Sequence, residues 1–216
     1  MIELQHVSKS YQLKGVRKAI VDDLSFTFPT ARNVAIMGQN GAGKSTLMRM
    51  IAGVEQPDSG RIYRSTMVSW PLGFSGGFNG SMTGLENTRF VARIYNQDTE
   101  AVIDYVKWFS ELGPSLNLPI KTYSSGMRAR LAFGLSMAID FQVYLIDEIT
   151  AVGDERFKIK SQEVFSEKLL SSQIIMISHS EHAIKSYCDC GLLLGSDGVY
   201  YYDDLDALIT DYKALA

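Results

Sequence analysis

Apolar and polar residues alternate through the first 30 positions, in Ile2-Glu3-Leu4-Gln5 and again in Leu24-Ser25-Phe26-Thr27-Phe28. That period of two predicts two half-buried antiparallel strands, separated by the polar stretch at residues 14–18. Val34-Ala35-Ile36-Met37 is a short unbroken apolar run, read as a strand that ends in a glycine-rich turn. A helix is predicted over residues 45–52, with Leu47, Met48 and Ile51 on one face and Gly53 as its stop. Residues 54–80 are rich in Gly, Ser and Pro and predict loops around short strands.

From Thr83 the spacing turns helical. Thr83-x-x-Glu86 is a capping box ahead of Phe90, Val91 and Ile94, and Asp98 caps a second helix carrying Val102, Tyr105, Phe109 and Leu112. Met127, Leu131 and Leu135 recur every four residues and mark another helix. Residues 143–146 and 174–177 read as fully buried parallel strands. Leu192-Leu193-Leu194 and Val199-Tyr200-Tyr201-Tyr202 flank Ser196-Asp197-Gly198, a hairpin signal. The pattern predicts an α/β core with an antiparallel N-terminal lobe and a helical insertion at roughly 81–138, in one domain spanning residues 1–216.

Composition narrows the class. With 216 residues and 46% hydrophobic content the chain can bury a core, and a net charge of -3 gives no general affinity for nucleic acid or anionic lipid. Two cysteines, Cys188 and Cys190, are too few for a disulfide framework and too close for a mutual bridge, which fits a reducing cytosol. No secretory signal and no run of about 20 apolar residues is present, so a membrane role needs another chain to supply the span.

The chemistry begins at Gly38-Gln39-Asn40-Gly41-Ala42-Gly43-Lys44-Ser45, which matches G-x-x-x-x-G-K-S/T between a predicted strand and a predicted helix. Glycines let backbone N–H groups wrap around phosphates, and a helix N-terminus adds partial positive charge. Lys44 can reach the β- and γ-phosphates of ATP and the Ser45 hydroxyl can ligate Mg²⁺, with Thr46 beside them in the nucleotide-contacting set. The apolar run ending in Asp147-Glu148 adds two carboxylates: Asp147 as a Mg²⁺ partner and Glu148 as a base for the attacking water.

Tyr123-Ser124-Ser125-Gly126-Met127 opens the helix that carries Leu131, and here the sequence resembles the ABC ATPase family, whose signature is L-S-G-G-Q. The resemblance covers nearly the whole chain and implies a P-loop (RecA-like) fold. It implies a homodimer in which Ser124, Ser125 and Gly126 face the ATP of the opposing subunit. It further implies that Tyr11 stacks on adenine, that Asp154 lies in the loop crossing the dimer interface, and that His179 contacts the γ-phosphate.

One departure stands out. The family's glutamine after the second core strand is missing, because no glutamine occurs between Gln56 and Gln97; Ser69, Ser75 or water is left to substitute. The same stretch, Ser69-Trp70-Pro71-Leu72-Gly73-Phe74 followed by Gly80-Ser81-Met82-Thr83-Gly84-Leu85-Glu86-Asn87, resembles the ATP-binding subunits of capsular polysaccharide exporters. That resemblance implies an ATPase at the cytoplasmic face of the inner membrane, driving polymer through a separate transmembrane permease. Trp70, Phe74 and Phe78 are then expected to line the groove that receives the permease.

Rival readings are weaker. Gly73-Phe74-Ser75-Gly76-Gly77 formally matches the G-x-S-x-G nucleophile elbow, but Phe78-Asn79-Gly80 is a poor start for the helix that elbow needs. His179 and His182 with Cys188 and Cys190 have unusual spacing for a zinc set. A soluble ABC-type ATPase acting on nucleic acid or ribosomes is the serious alternative, along with an exporter for another substrate. Such soluble chains usually carry coiled-coil insertions or two ATPase halves, and neither is seen here.

Overall fold

A computed structural model describes residues 1–13, 16–72, 77–147, 155–195 and 197–215. The chain forms two compact units, one built from residues 1–71, 141–149 and 172–216 and the other from residues 72–140 and 150–171.

The first unit contains two sheets. Strands β1 (Ile2–Leu13), β2 (Val16–Thr27) and β4 (Ser59–Arg64) form an antiparallel sheet in the order β2-β1-β4. Alternation holds from Ile2 to Leu4 and then breaks, so that Val7 rather than His6 is buried. The cause is a register shift between Leu4 and Val7, where His6 takes φ 51°. One extra residue in a strand moves everything after it to the opposite face. Gly60 packs against this bulge, and a Cβ there would lie 2.2 Å from the His6 carbonyl oxygen. The polar stretch expected as a loop is shorter than its composition suggests. Val16, Arg17 and Lys18 belong to β2 and pair with Leu13, Gln12 and Tyr11, since an exposed ribbon tolerates polar residues on both faces.

The larger sheet runs β5-β6-β7-β3-β8-β9, with β3 (Val34–Gly38), β5 (Val68–Pro71), β6 (Val143–Asp147), β7 (Gln173–Ile177) and β8 (Cys190–Leu194) parallel. Strand β9 (Val199–Tyr202) closes one edge as the antiparallel arm of the expected hairpin. Pro71 ends β5 on the other edge, where a missing N–H costs no ladder bond. Helix α1 (Lys44–Ala52) buries Leu47, Met48 and Ile51 as expected, and Met50 too, and it stops at Gly53 with φ 77°.

The second unit is helical. In α2 (Gly84–Ile94) the capping box is complete: Thr83 Oγ1 accepts the Glu86 N–H at 3.1 Å, and Glu86 Oε2 accepts the Thr83 N–H at 2.7 Å. Its larger apolar residues do not form the buried face, which is made by Gly84, Asn87, Thr88 and Ala92. Phe90 and Ile94 are 55% and 60% exposed, whereas Asn87 and Thr88 are buried. Asn87 is satisfied there by the carbonyls of Asn79 and Thr83. Asp98 caps α3 (Thr99–Ser110), which packs Phe109 against α4 (Ser125–Ala138) at Gly134, where a Cβ would lie 2.9 Å from the Phe109 ring. Helix α5 (Glu155–Leu169) adds Phe157, whose ring meets Phe109 edge-on at 5.2 Å. Helices α6 (Glu181–Tyr187) and α7 (Leu205–Ala214) complete the first unit.

Candidate functional site

Sheet register brings the motif ends together. Ile36 in β3 pairs with Ile177 in β7, and Ile177 pairs with Asp147 in β6. The turn after Gly38, the carboxylate of Asp147 and the segment leading to His179 therefore leave the sheet along one edge. Parallel α/β sheets bind their ligands at these carboxyl ends.

Within the loop, Lys44 is buried to 8% exposure, and its ammonium donates to the Gly38 carbonyl at 2.7 Å and the Gln39 carbonyl at 3.0 Å. Gly43 N-caps α1 with φ 103° and offers no side chain to the first-turn N–H groups. A Cβ at Gly43 would lie 2.2 Å from Ile20 Cγ2, so β2 demands glycine here. Lys44, Ser45 and Thr46 form the first turn of the same helix, and Ser45 is half-buried. A desolvated cation thus sits beside a glycine-rich turn at a helix N-terminus, an arrangement suited to phosphate. Lys18 approaches from β2 and donates to the Gly41 carbonyl at 2.8 Å. A cleft of about 900 Å³ opens on the flank of the loop, between Gln39, Asn40 and Gly41, the β2 residues Lys18 and Leu24, and Asp197 and Val199, and it is not lined by Lys44, Ser45 or Asp147.

Tyr11 does not line this cleft. Its hydroxyl bonds the Glu55 carboxylate, and Lys9 sits 5.5 Å from its ring centroid. Arg49 links this group to the loop helix, with Nη2 3.5 Å from the Tyr11 hydroxyl and 3.1 Å from Thr46 Oγ1. Burial alone would raise the Glu55 carboxyl, but hydrogen bonds from Tyr11, Arg49 and Lys9 outweigh it and hold the group below the usual carboxylate range. The ring is thereby fixed in place.

Asp147 is half-buried at the end of β6, while Glu148 and Asp154 lie outside the described residues, as do Phe74 and Ser75. Oxygen donors at Ser45 and Asp147 match the hard-ligand preference of Mg²⁺. His179 is exposed, with Nδ1 3.1 Å from the Tyr212 hydroxyl. Ser69 is excluded as a stand-in for the missing glutamine. It is fully buried, and its hydroxyl accepts the Leu145 N–H at 2.9 Å while donating to the Trp70 carbonyl at 2.7 Å. Trp70 is half-buried and meets Phe141 edge-on at 5.3 Å.

The signature residues belong to the helical unit. Ser124 caps α4, its Oγ accepting the Met127 N–H at 3.2 Å. Ser125 is exposed, and a Cβ on Gly126 would meet only Ser124 Oγ, at 3.9 Å. The helix start is thus open to an incoming group. For the zinc alternative, no cluster of three or more His, Cys, Asp or Glu able to hold a metal exists among the described residues. Burial, with Asp189 and Cys190 adding to it, pushes the Cys188 thiol up to about 12.

Lys18, Arg49 with Glu55, and Tyr212 were not marked by any sequence motif. Lys18 and Tyr212 bond partners 23 and 33 positions away, and Glu55 meets Tyr11 44 positions away, so only the fold brings these groups together.

The family profile described as ABC transporter matches residues 21–151. Over 216 residues the chain is 50% identical to the polysialic acid transport ATP-binding protein KpsT of Escherichia coli, covering 99% of each. It is 47% identical over 215 residues to the capsule polysaccharide export ATP-binding protein CtrD of Neisseria meningitidis serogroup B, covering 100% of each. Among solved structures, a post-hydrolysis dimer of the ATP-binding cassette MJ0796 with ADP and Pi matches at TM-score 0.74 and 17% identity, over 95% of this chain and 99% of that one.

Proposed function

The chain belongs to the ABC transporter family, and on that premise we propose that it is the ATP-hydrolysing subunit powering export of a capsular polysaccharide. The observation that carries this reading is end-to-end identity of 47–50% with subunits named for polysialic acid and capsule polysaccharide transport. The reading of a soluble ATPase for nucleic acid or ribosomes has no comparable support. No helix among the described residues is long and apolar enough to cross a membrane. The polymer's path is therefore assigned to a separate permease, with this chain held at the cytoplasmic face of the inner membrane.

Two copies would sandwich two ATPs. Lys44 and the N–H groups around Gly41 and Gly43 hold the phosphates of one nucleotide, and Ser124, Ser125 and Gly126 of the second copy close over it. Tyr11 is the platform for adenine, Thr46 completes the phosphate contacts, and Asp154 belongs to the crossing loop. Ser45 and Asp147 would hold Mg²⁺, which neutralises charge on the phosphates. Glu148 takes the proton from the attacking water, and His179 donates to the γ-phosphate. A preorganised donor of this kind is worth roughly 100-fold or more in rate.

The test is replacement of the gene by its Lys44→Ala form. Loss of surface polysaccharide, with polymer accumulating inside the cell, is expected. Surface polymer at the wild-type level would refute the role.

A further inference from the structure

The C-terminal helix reaches the nucleotide site. In α7, Leu208 and Ile209 are buried, and Leu208 packs so closely on β8 that a Cβ at Gly191 would lie 2.4 Å from its Cδ2. Asp204 caps the helix, and the Tyr202 hydroxyl donates to Asp211 at 2.7 Å. Ion pairs Lys213–Glu181 at 2.8 Å and Lys185–Asp206 at 2.5 Å tie it to α6. These pairs are exposed and contribute little, so the apolar face does the holding. At the far end, the Gln39 side-chain amide donates to the Leu215 carbonyl. One rigid element thus touches both the phosphate loop and, through Tyr212, His179.

The chemistry of that second contact is constrained. Phosphate oxygens only accept hydrogen bonds, so a neutral imidazole facing them must carry its proton on the nitrogen that points their way. Nδ1 is the nitrogen 3.1 Å from the Tyr212 hydroxyl. If the phenol donates to Nδ1, the proton is forced onto Nε2, and the ring is held in orientation at the same time. A hydrogen bond to one ring nitrogen fixing the state of the other is the way ligating histidines are set.

We propose that Tyr212 is a positioning residue for His179, donating to Nδ1 and so presenting Nε2–H to the terminal phosphate of ATP. The inference rests on the role given to His179 above. It adds a second-layer residue from a helix that carries no motif.

The test combines steady-state ATP turnover by the full-length chain with a nitrogen-15 spectrum of the His179 ring. Tyr212→Phe keeps the ring's packing and removes one neutral hydrogen bond, so kcat should fall about fivefold with KM unchanged. In a His179→Ala background the same substitution should cost nothing further. The wild-type spectrum, which needs no variant, should show Nε2 protonated and Nδ1 accepting. Wild-type turnover by Tyr212→Phe, an equal loss without His179, or a proton on Nδ1 would each overturn the proposal. If His179→Ala itself turns over normally, the role of His179 is wrong and Tyr212 has nothing to position. Impaired His179→Ala beside normal Tyr212→Phe sinks this inference alone.

Discussion

Ser69 Oγ accepts the backbone N–H of Leu145 at 2.9 Å, joining β5 to β6 through a side chain. Strand β5 slips register against β6 between Val68 and Pro71, and the hydroxyl supplies the acceptor that the ladder lacks there. Ser69→Ala should leave that buried N–H unsatisfied and destabilise the protein by about 1–3 kcal/mol. The Mg²⁺ requirement for ATP binding should not move. Urea unfolding and a Mg²⁺ titration check both. Unchanged stability with an altered Mg²⁺ requirement would return Ser69 to the metal site.

That serine shows where sequence reading runs out. The phosphate loop was legible because glycine spacing, Lys44 and the flanking strand and helix are all local. The buried runs at 143–146 and 174–177 were legible because continuous apolar strands have few other readings. A serine in a loop-like stretch says nothing about whether its hydroxyl meets metal or backbone. Helices α5, α6 and α7 gave no comparable signal: α6 spans 7 residues, and α5 alternates charges among few apolar positions. Phe90 and Ile94 misled in the other direction, because helical spacing reveals a stripe but not whether the fold covers it.

At the signature, Ser125 is exposed in the first turn of α4, beside the Ser124 cap. Ser125→Arg should leave α4 intact and ATP binding to the single chain unchanged, while blocking closure of two chains on the nucleotide. Equilibrium binding and light scattering with ATP separate the two effects. Greatly weakened binding to the monomer would put Ser125 in the same-chain pocket.

Burial also separates the aromatic residues proposed to receive a permease. Trp70 packs on Phe141, so Trp70→Ala should lower the melting temperature. Phe78 is partly exposed and Phe90 is 55% exposed, both in the helical unit. Phe78→Ala and Phe90→Ala should each leave the melt nearly unchanged and weaken capture of the permease, by roughly 2 kcal/mol if the ring is an interface anchor. A pull-down with the membrane subunit and a thermal melt decide. A large drop in melting temperature with normal capture would assign the ring to the core.

In the mechanism proposed above, ATP held on the Lys44 loop is hydrolysed by Glu148. Phosphate release from Mg-ATP by the purified chain, beside its Glu148→Gln form, tests that most directly. The amide keeps the shape of the side chain but takes no proton. The variant should bind ATP, accumulate as an ATP-loaded dimer and turn over roughly 100-fold more slowly, the scale of a lost general base. Release at more than half the wild-type rate would contradict the claim.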